Sequence, residues 1–207
     1  MSDVAGLILA GGRSLRMGGG DKSLRELAGR PLLDHVARRI APQVGALSIS
    51  ANGDPRRFSG FSLPVLPDTF AGFAGPLAGI LAGMEWAMEH TNAPWLVSVA
   101  SDTPFFPKDL VERLASARRD QSVVVASSSG RRHPVFALWP VDLQRPLRAF
   151  LEDGATYKVS AFVDRHEGAQ VDFPMIELAD GTVDPFFNVN TPEDLVEAER
   201  IRERIGA

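Results

Sequence analysis

The chain has 207 residues, 44% of them hydrophobic and 23% charged, with a formal net charge of −4 and no cysteine. That length supports a single domain around one sizeable core. The mild acidity argues against a nucleic-acid surface, and the lack of cysteine excludes disulfides and thiolate metal sites. No apolar run approaches the ~20 residues of a membrane span, and the N-terminus lacks a basic-then-apolar signal, so a cytoplasmic protein away from membranes is expected.

Val4–Leu9 is apolar throughout and reads as a buried central strand. A glycine-rich segment follows. Leu32–Ile40 places apolar residues at 32, 33, 36, 37 and 40, which is helical spacing, with Pro31 suited to the first turn. Ala46–Ala51 alternates as a strand and ends in the turn Asn52-Gly53-Asp54-Pro55. Leu63–Asp68 is a short extended piece constrained by two prolines, and Pro76–His90 is helical in composition. Trp95–Ala100 is a second buried strand, closed by Ser101-Asp102-Thr103-Pro104, and Pro107–Arg119 carries Leu110, Val111 and Leu114 on one helical face.

The second half is less regular. Ser122–Ser127 and Val135–Leu138 read as strands joined by residues 128–133, followed by helical stretches near Leu143–Leu151 and Val159–Val163 and then by Gln170-Val171-Asp172. Thr191 is a good N-cap for a last helix opening with Pro192, Glu193 and Asp194, with Leu195, Ala198, Ile201 and Ile205 as its inward stripe. Alternating strands and helices predict a single doubly wound, Rossmann-like α/β domain with a mostly parallel sheet. In such sheets ligands bind beyond the carboxyl ends of the strands, where Gly11, Asn52, Asp68 and Asp102 all fall.

Residues 9–22 (LAGGRSLRMGGGDK) hold five glycines, two arginines and a lysine directly after the first strand. Glycine backbone can wrap phosphate oxygens, and the cations offset their charge. A P-loop ending at Lys22-Ser23 would need glycine at Arg16 and Asp21; a dinucleotide fingerprint would need it at Arg13 or Ser23. Neither pattern holds. Lys22 is one of three lysines in the chain, with Lys108 and Lys158, so a lysine inside the loop stands out as a phosphate ligand.

The segments Leu9-Ala10-Gly11-Gly12, Arg16-Met17-Gly18-Gly19 and Asp21-Lys22 resemble the opening signature of nucleotidyltransferases, and most of all the molybdenum cofactor guanylyltransferase family. The resemblance extends over nearly the whole chain. It implies transfer of GMP from GTP to the terminal phosphate of molybdopterin, with release of pyrophosphate. It further implies Arg16, Lys22 and Asp102 as catalytic residues, Mg²⁺ on Asp102, and nucleotide contacts from Leu9, Ala10, Gly11, Gly12, Lys22, Asn52, Asp68 and Asp102.

For the acceptor, the polar clusters available are Arg131-Arg132-His133-Pro134, Tyr157-Lys158 and Asn188-Val189-Asn190-Thr191, with His133, Lys158, Asn188 and Asn190 as the candidates that the resemblance implies. Residues 1–106 would then serve mainly the nucleotide and 107–207 mainly the acceptor. Transient contact with proteins that supply or receive the cofactor is the partner expectation. On the residues alone, Asp102 also reads as a turn-starter before Thr-Pro, and Asn52 and Asp68 as ordinary turn residues. Phe105-Phe106 and Phe186-Phe187 read as packing. A cytidylyltransferase, a sugar- or polyol-phosphate nucleotidyltransferase, or a non-catalytic nucleotide-binding regulator are the alternatives; Asp102, Lys22 and Arg16 all being present speaks against the last.

Overall fold

The computed structural model describes residues 3–11, 21–70, 75–119 and 121–206. Its centre is the strand predicted first: β1 (Val4–Leu9) is almost wholly buried, as an apolar run without alternation must be. It pairs in parallel with β4 (Ala46–Ser50) on one side and β6 (Trp95–Ala100) on the other. Two-residue strands β2 (Glu26–Leu27) and β3 (Arg30–Pro31) form a separate ribbon, and β5 (Val65–Leu66) extends the main sheet beyond β4.

On the other flank stand β7 (Val123–Ser128), β8 (Arg131–Pro140) and β9 (Glu167–Asp172). The seven strands run in the order β5-β4-β1-β6-β8-β7-β9. Only β8 is antiparallel to its neighbours, so the sheet is mostly parallel, as predicted. A further hairpin, β10 (Ile176–Leu178) with β11 (Gly181–Val183), lies apart from it.

Helices cover both faces. α1 (Leu32–Ile40) and α3 (Leu110–Ser116) share one core layer with Val4, Ile8, Val97 and Val99. α2 (Pro76–His90), α4 (Gln144–Asp153) and α5 (Val159–His166) share the other with Ala5, Leu7 and Leu96. Alternate residues of β1 thus feed opposite layers, which is the period-two geometry of a strand covered on both faces. α2 lies unusually close to the sheet because Gly79 and Gly83 face it: a Cβ on Gly79 would stand 2.3 Å from Ser50 Oγ, and one on Gly83 2.7 Å from Leu7 Cδ2.

α6 (Pro192–Ile205) starts as the sequence predicts. The Thr191 side chain accepts from the Asp194 backbone N–H and the Asp194 carboxylate accepts from the Thr191 N–H, a reciprocal cap on two otherwise unpaired donors. Ala198 and Ile201 bury against Leu27, Leu32 and Phe105, which brings the end of the chain beside its first third.

Three expectations need adjusting. The helix expected over 107–119 occupies only Leu110–Ser116, because residues 107–109 form a turn in which the Pro107 carbonyl accepts from Leu110 N. Pro31 precedes α1, at its N-cap in extended backbone. The link expected over 128–133 is a tight hairpin turn, Ser129-Gly130, with both residues at positive φ, so Arg131–His133 belong to β8.

Candidate active site

Backbone bonds continue past the strand ends and bring them level. Ala10 N donates to Ser50 O at 2.9 Å, Ser101 N to Leu9 O at 3.1 Å, and Ala51 N to Leu66 O at 3.0 Å. The residues that follow β1, β4, β5 and β6 therefore open onto one carboxyl edge, which carries Gly11, Asn52, Asp68 and Asp102. Leu9 and Ala10 themselves direct their side chains into the two core layers, so any contact they make with a ligand is through backbone.

Asp21 fixes the end of the glycine-rich segment. One carboxylate oxygen caps the short 3-10 helix Lys22–Leu24, accepting from Ser23 N at 3.0 Å and Ser23 Oγ at 2.6 Å. The next residue, Lys22, points across the crevice. Its Nζ lies 2.5 Å from Asp102 Oδ2 and 2.5 Å from Asn190 Oδ1, joining three segments separated by 80 and 168 positions. Lys22 and Asp102 side chains are each 19% exposed, so the pair is sheltered yet open to a ligand.

Asn188 and Asn190 arrive here because the segment before α6 is tied to the end of β6. Val189 N donates to the Asp102 carbonyl at 2.8 Å, and Thr103 Oγ1 lies 2.9 Å from Asn188 Oδ1 and 3.1 Å from Asp102 Oδ1. Asn190 N donates to Asp194, which is also the capping carboxylate of α6. On the other side, Asn52 and Asp68 bind each other reciprocally: Asn52 Nδ2 donates to Asp68 Oδ2 at 2.6 Å, and Asp68 N to Asn52 Oδ1 at 2.9 Å.

Sequence reasoning missed Arg57, which links the two sides. Its Nε donates to Asp21 Oδ2 at 2.8 Å, one Nη to the Asn52 carbonyl at 2.6 Å, the other to the Asp54 carbonyl at 2.9 Å, and its guanidinium lies over the Phe58 ring. Arginine suits this post, since a rigid fork serves several oxygens at once. Nothing in the sequence marked it, for it sits in an irregular 3-10 segment, Pro55–Phe61, directly after another arginine, Arg56.

The remaining candidates lie elsewhere. His133 is buried on β8, its Nε2 2.7 Å from Ser128 Oγ, its ring stacked on Phe186 at 4.3 Å. Ser128 spends its single hydroxyl proton on Asp184 Oδ1 at 2.8 Å, so His133 Nε2 is the donor to Ser128. Burial is the strongest influence on this imidazole and holds it below the ordinary histidine range, with Asp184 pulling upward and Arg131 downward. It therefore braces the segment leading to Asn188. Lys158 is exposed before α5 and forms no hydrogen bond to Lys22, Asp102 or Asn190 among the described residues. Phe105, Phe106 and Phe186 are packed, as expected. Gly12 and Arg16 lie outside the described residues.

Among the described residues no three His, Asp, Glu or Cys side chains cluster as a closed metal cage. A half-exposed edge with one carboxylate and neighbouring amide and hydroxyl oxygens fits Mg²⁺, a hard cation that takes one or two carboxylates together with substrate phosphates. No described helix is long and apolar enough to cross a membrane.

Residues 6–170 match the family model of the MobA-like NTP transferase domain. A molybdenum cofactor guanylyltransferase of Mesorhizobium japonicum is 55% identical over 96% of both chains, and one of Rhodopseudomonas palustris is 53% identical over 96% of this chain and 93% of its own. A crystal structure of molybdopterin-guanine dinucleotide biosynthesis protein A from Archaeoglobus fulgidus superposes with a TM-score of 0.71 at 23% identity, over 96% of this chain and 98% of that one.

Proposed function

The chain belongs to the molybdenum cofactor guanylyltransferases, nucleotidyltransferases with a MobA-like domain, and from that premise we propose how its crevice transfers GMP from GTP to the terminal phosphate of molybdopterin. An acceptor phosphate oxygen attacks the α-phosphorus, the bond from the α-phosphorus to the bridging oxygen of the β-phosphate breaks, and pyrophosphate departs with the electron pair. The acceptor is already an anion, so no general base is required, and the crevice needs none. Its task is to position two repelling anions and to absorb the charge growing on pyrophosphate.

The observation that carries the reading is Lys22 held between Asp102 and Asn190. A triphosphate entering this edge meets the ammonium at the point where nucleotide and acceptor must meet. Gly11, Gly12 and Arg16 extend the phosphate cradle, and the Asn52–Asp68 pair offers hydrogen-bonding groups to the nucleoside. Asn188 and Asn190 serve the acceptor directly at the junction, Lys158 stands as a more distant cation for it, and His133 acts from behind by bracing the segment that carries Asn188. Asp102 would hold Mg²⁺, which when bound neutralises the α- and β-phosphates. Residues 1–106 thus serve mainly the nucleotide and 107–207 mainly the acceptor, with Asn188 and Asn190 reaching across.

Pyrophosphate release with molybdopterin and GTP, CTP or ATP tests the reading. Release with GTP well above the other two is expected. Greater release with CTP would make the chain a cytidylyltransferase, and equal release would show that the crevice does not select guanine.

A further inference from the structure

A second cleft, of about 500 Å³, opens on the α1 side of the sheet between α1, the start of α3 and the last turns of α6. Five basic side chains line it, His35, Arg38, Arg39, Lys108 and Arg202, together with the amide of Gln43. Among the described residues no acidic side chain lines it, although aspartate and glutamate outnumber lysine and arginine 26 to 22 in the chain as a whole. One of the three lysines stands here, outside the nucleotide signature.

Arg38 is paired with Asp34, but among the described residues Arg39, Lys108 and Arg202 form no ion pair with a carboxylate. Arg39 is the telling case. It is half-buried, its Nε donates to the Pro104 carbonyl at 3.0 Å, and burial alone pushes its guanidinium below the ordinary value with no carboxylate to raise it. A desolvated cation without a counter-charge is costly, and an incoming anion would offset that cost. The walls between these cations are largely apolar, formed by Pro42, Pro104 and Phe105.

We propose that this cleft binds a small phosphorylated molecule with an apolar body, its phosphate on Arg39, Lys108 and Arg202. The volume is that of a small-molecule site. A nucleic acid or membrane would call for a broad basic face, and here the positive charge is confined to one concavity. Pro104 and Phe105 directly follow Asp102-Thr103, so the ligand would rest against the strand end that carries Asp102.

Isothermal titration with naphthyl phosphate tests this on four proteins: wild type, Lys22→Ala, and the rim variants Lys108→Gln and Arg202→Gln, with Arg39→Gln added where circular dichroism shows it folded. Naphthyl phosphate is expected to bind wild type and Lys22→Ala alike, and each rim variant about tenfold more weakly, as for one lost charge-assisted contact. Affinity lost in Lys22→Ala and kept in the rim variants would place the anion in the catalytic crevice and overturn the proposal. No binding of naphthyl phosphate to wild type would overturn it too. So would tighter binding of a hexaglutamate peptide than of naphthyl phosphate, which would make the cleft a protein-docking site.

Discussion

Arg57 Nε donates to Asp21 Oδ2 over 2.8 Å, so the residue that orients Lys22 is anchored to the turn that carries Asn52. The two sides of the crevice are therefore coupled through one guanidinium. Arg57→Ala should raise KM for GTP and lower kcat together, by roughly tenfold to a hundredfold overall, the scale of a lost charge-assisted contact. Arg57→Lys should restore little, because an ammonium cannot reach Asp21 and two carbonyls in one plane. Steady-state kinetics with both variants check this; wild-type kinetics in Arg57→Ala would remove the coupling.

Lys22→Ala should weaken GTP binding by about tenfold to a hundredfold, since a cation facing the triphosphate disappears. The same change leaves Asp102 without its ammonium partner. Without nucleotide, the variant should then bind Mn²⁺ more tightly than wild type, the ion no longer competing with Lys22 for the carboxylate. Titration followed by electron paramagnetic resonance reads this directly, and weaker Mn²⁺ binding would show that Lys22 supports the cation.

Asp102→Ala should nearly abolish transfer while leaving circular dichroism unchanged. Asp102→Asn keeps the shape but drops the charge, so it should retain little turnover and require more Mg²⁺. Turnover measured against Mg²⁺ concentration separates the two. A folded Asp102→Ala enzyme with normal turnover would reduce Asp102 to a turn residue.

His133 and His166 both lie below the ordinary histidine value, chiefly through burial. The unfolded chain takes up protons around pH 6.5, whereas the folded chain resists until lower pH. Their contribution is therefore fully present above about pH 6.5 and is lost as pH falls towards the folded values. Thermal melts between about pH 5 and pH 7.5 should show stability falling on the acid side, and His133→Gln should flatten that slope without removing it, since His166 remains. An unchanged slope would mean that His133 titrates alike in both states.

Gly79→Ala would drive a methyl group to 2.3 Å from Ser50 Oγ and 2.8 Å from Leu9 Cδ2. Overpacking of this kind costs about 1–3 kcal/mol. The displaced residues end β4 and β1 directly beneath the crevice, so denaturant melts should show the stability loss and GTP titration a weaker affinity. A substitution neutral in both measurements would show that α2 can draw back from the sheet.

The parts of this fold that were legible in the sequence are those with local causes. The apolar run of β1, the helical spacing of α1 and the capping residues of α6 each carry their reason within a few positions. Asp102 was legible because an apolar strand stops just before it. The reversal of β8 and the return of Asn188 and Asn190 to Asp102 were not, since both depend on pairings across long stretches of chain. Arg57 escaped notice for a related reason: its value lies in three oxygens from two different segments, none of which its own neighbours announce.

The contact between Lys22 and Asn190 spans 168 positions, so the crevice closes only when the segment before α6 meets the one after β1. A ribosome must therefore have released the chain beyond residue 190 before Lys22 gains its second partner. Prematurely terminated products ending before residue 184 would possess the glycine-rich segment and Asp102 yet remain inert. Added back as a separate peptide, the missing tail should restore some turnover, because a completed junction and not an unbroken backbone is what the chemistry requires.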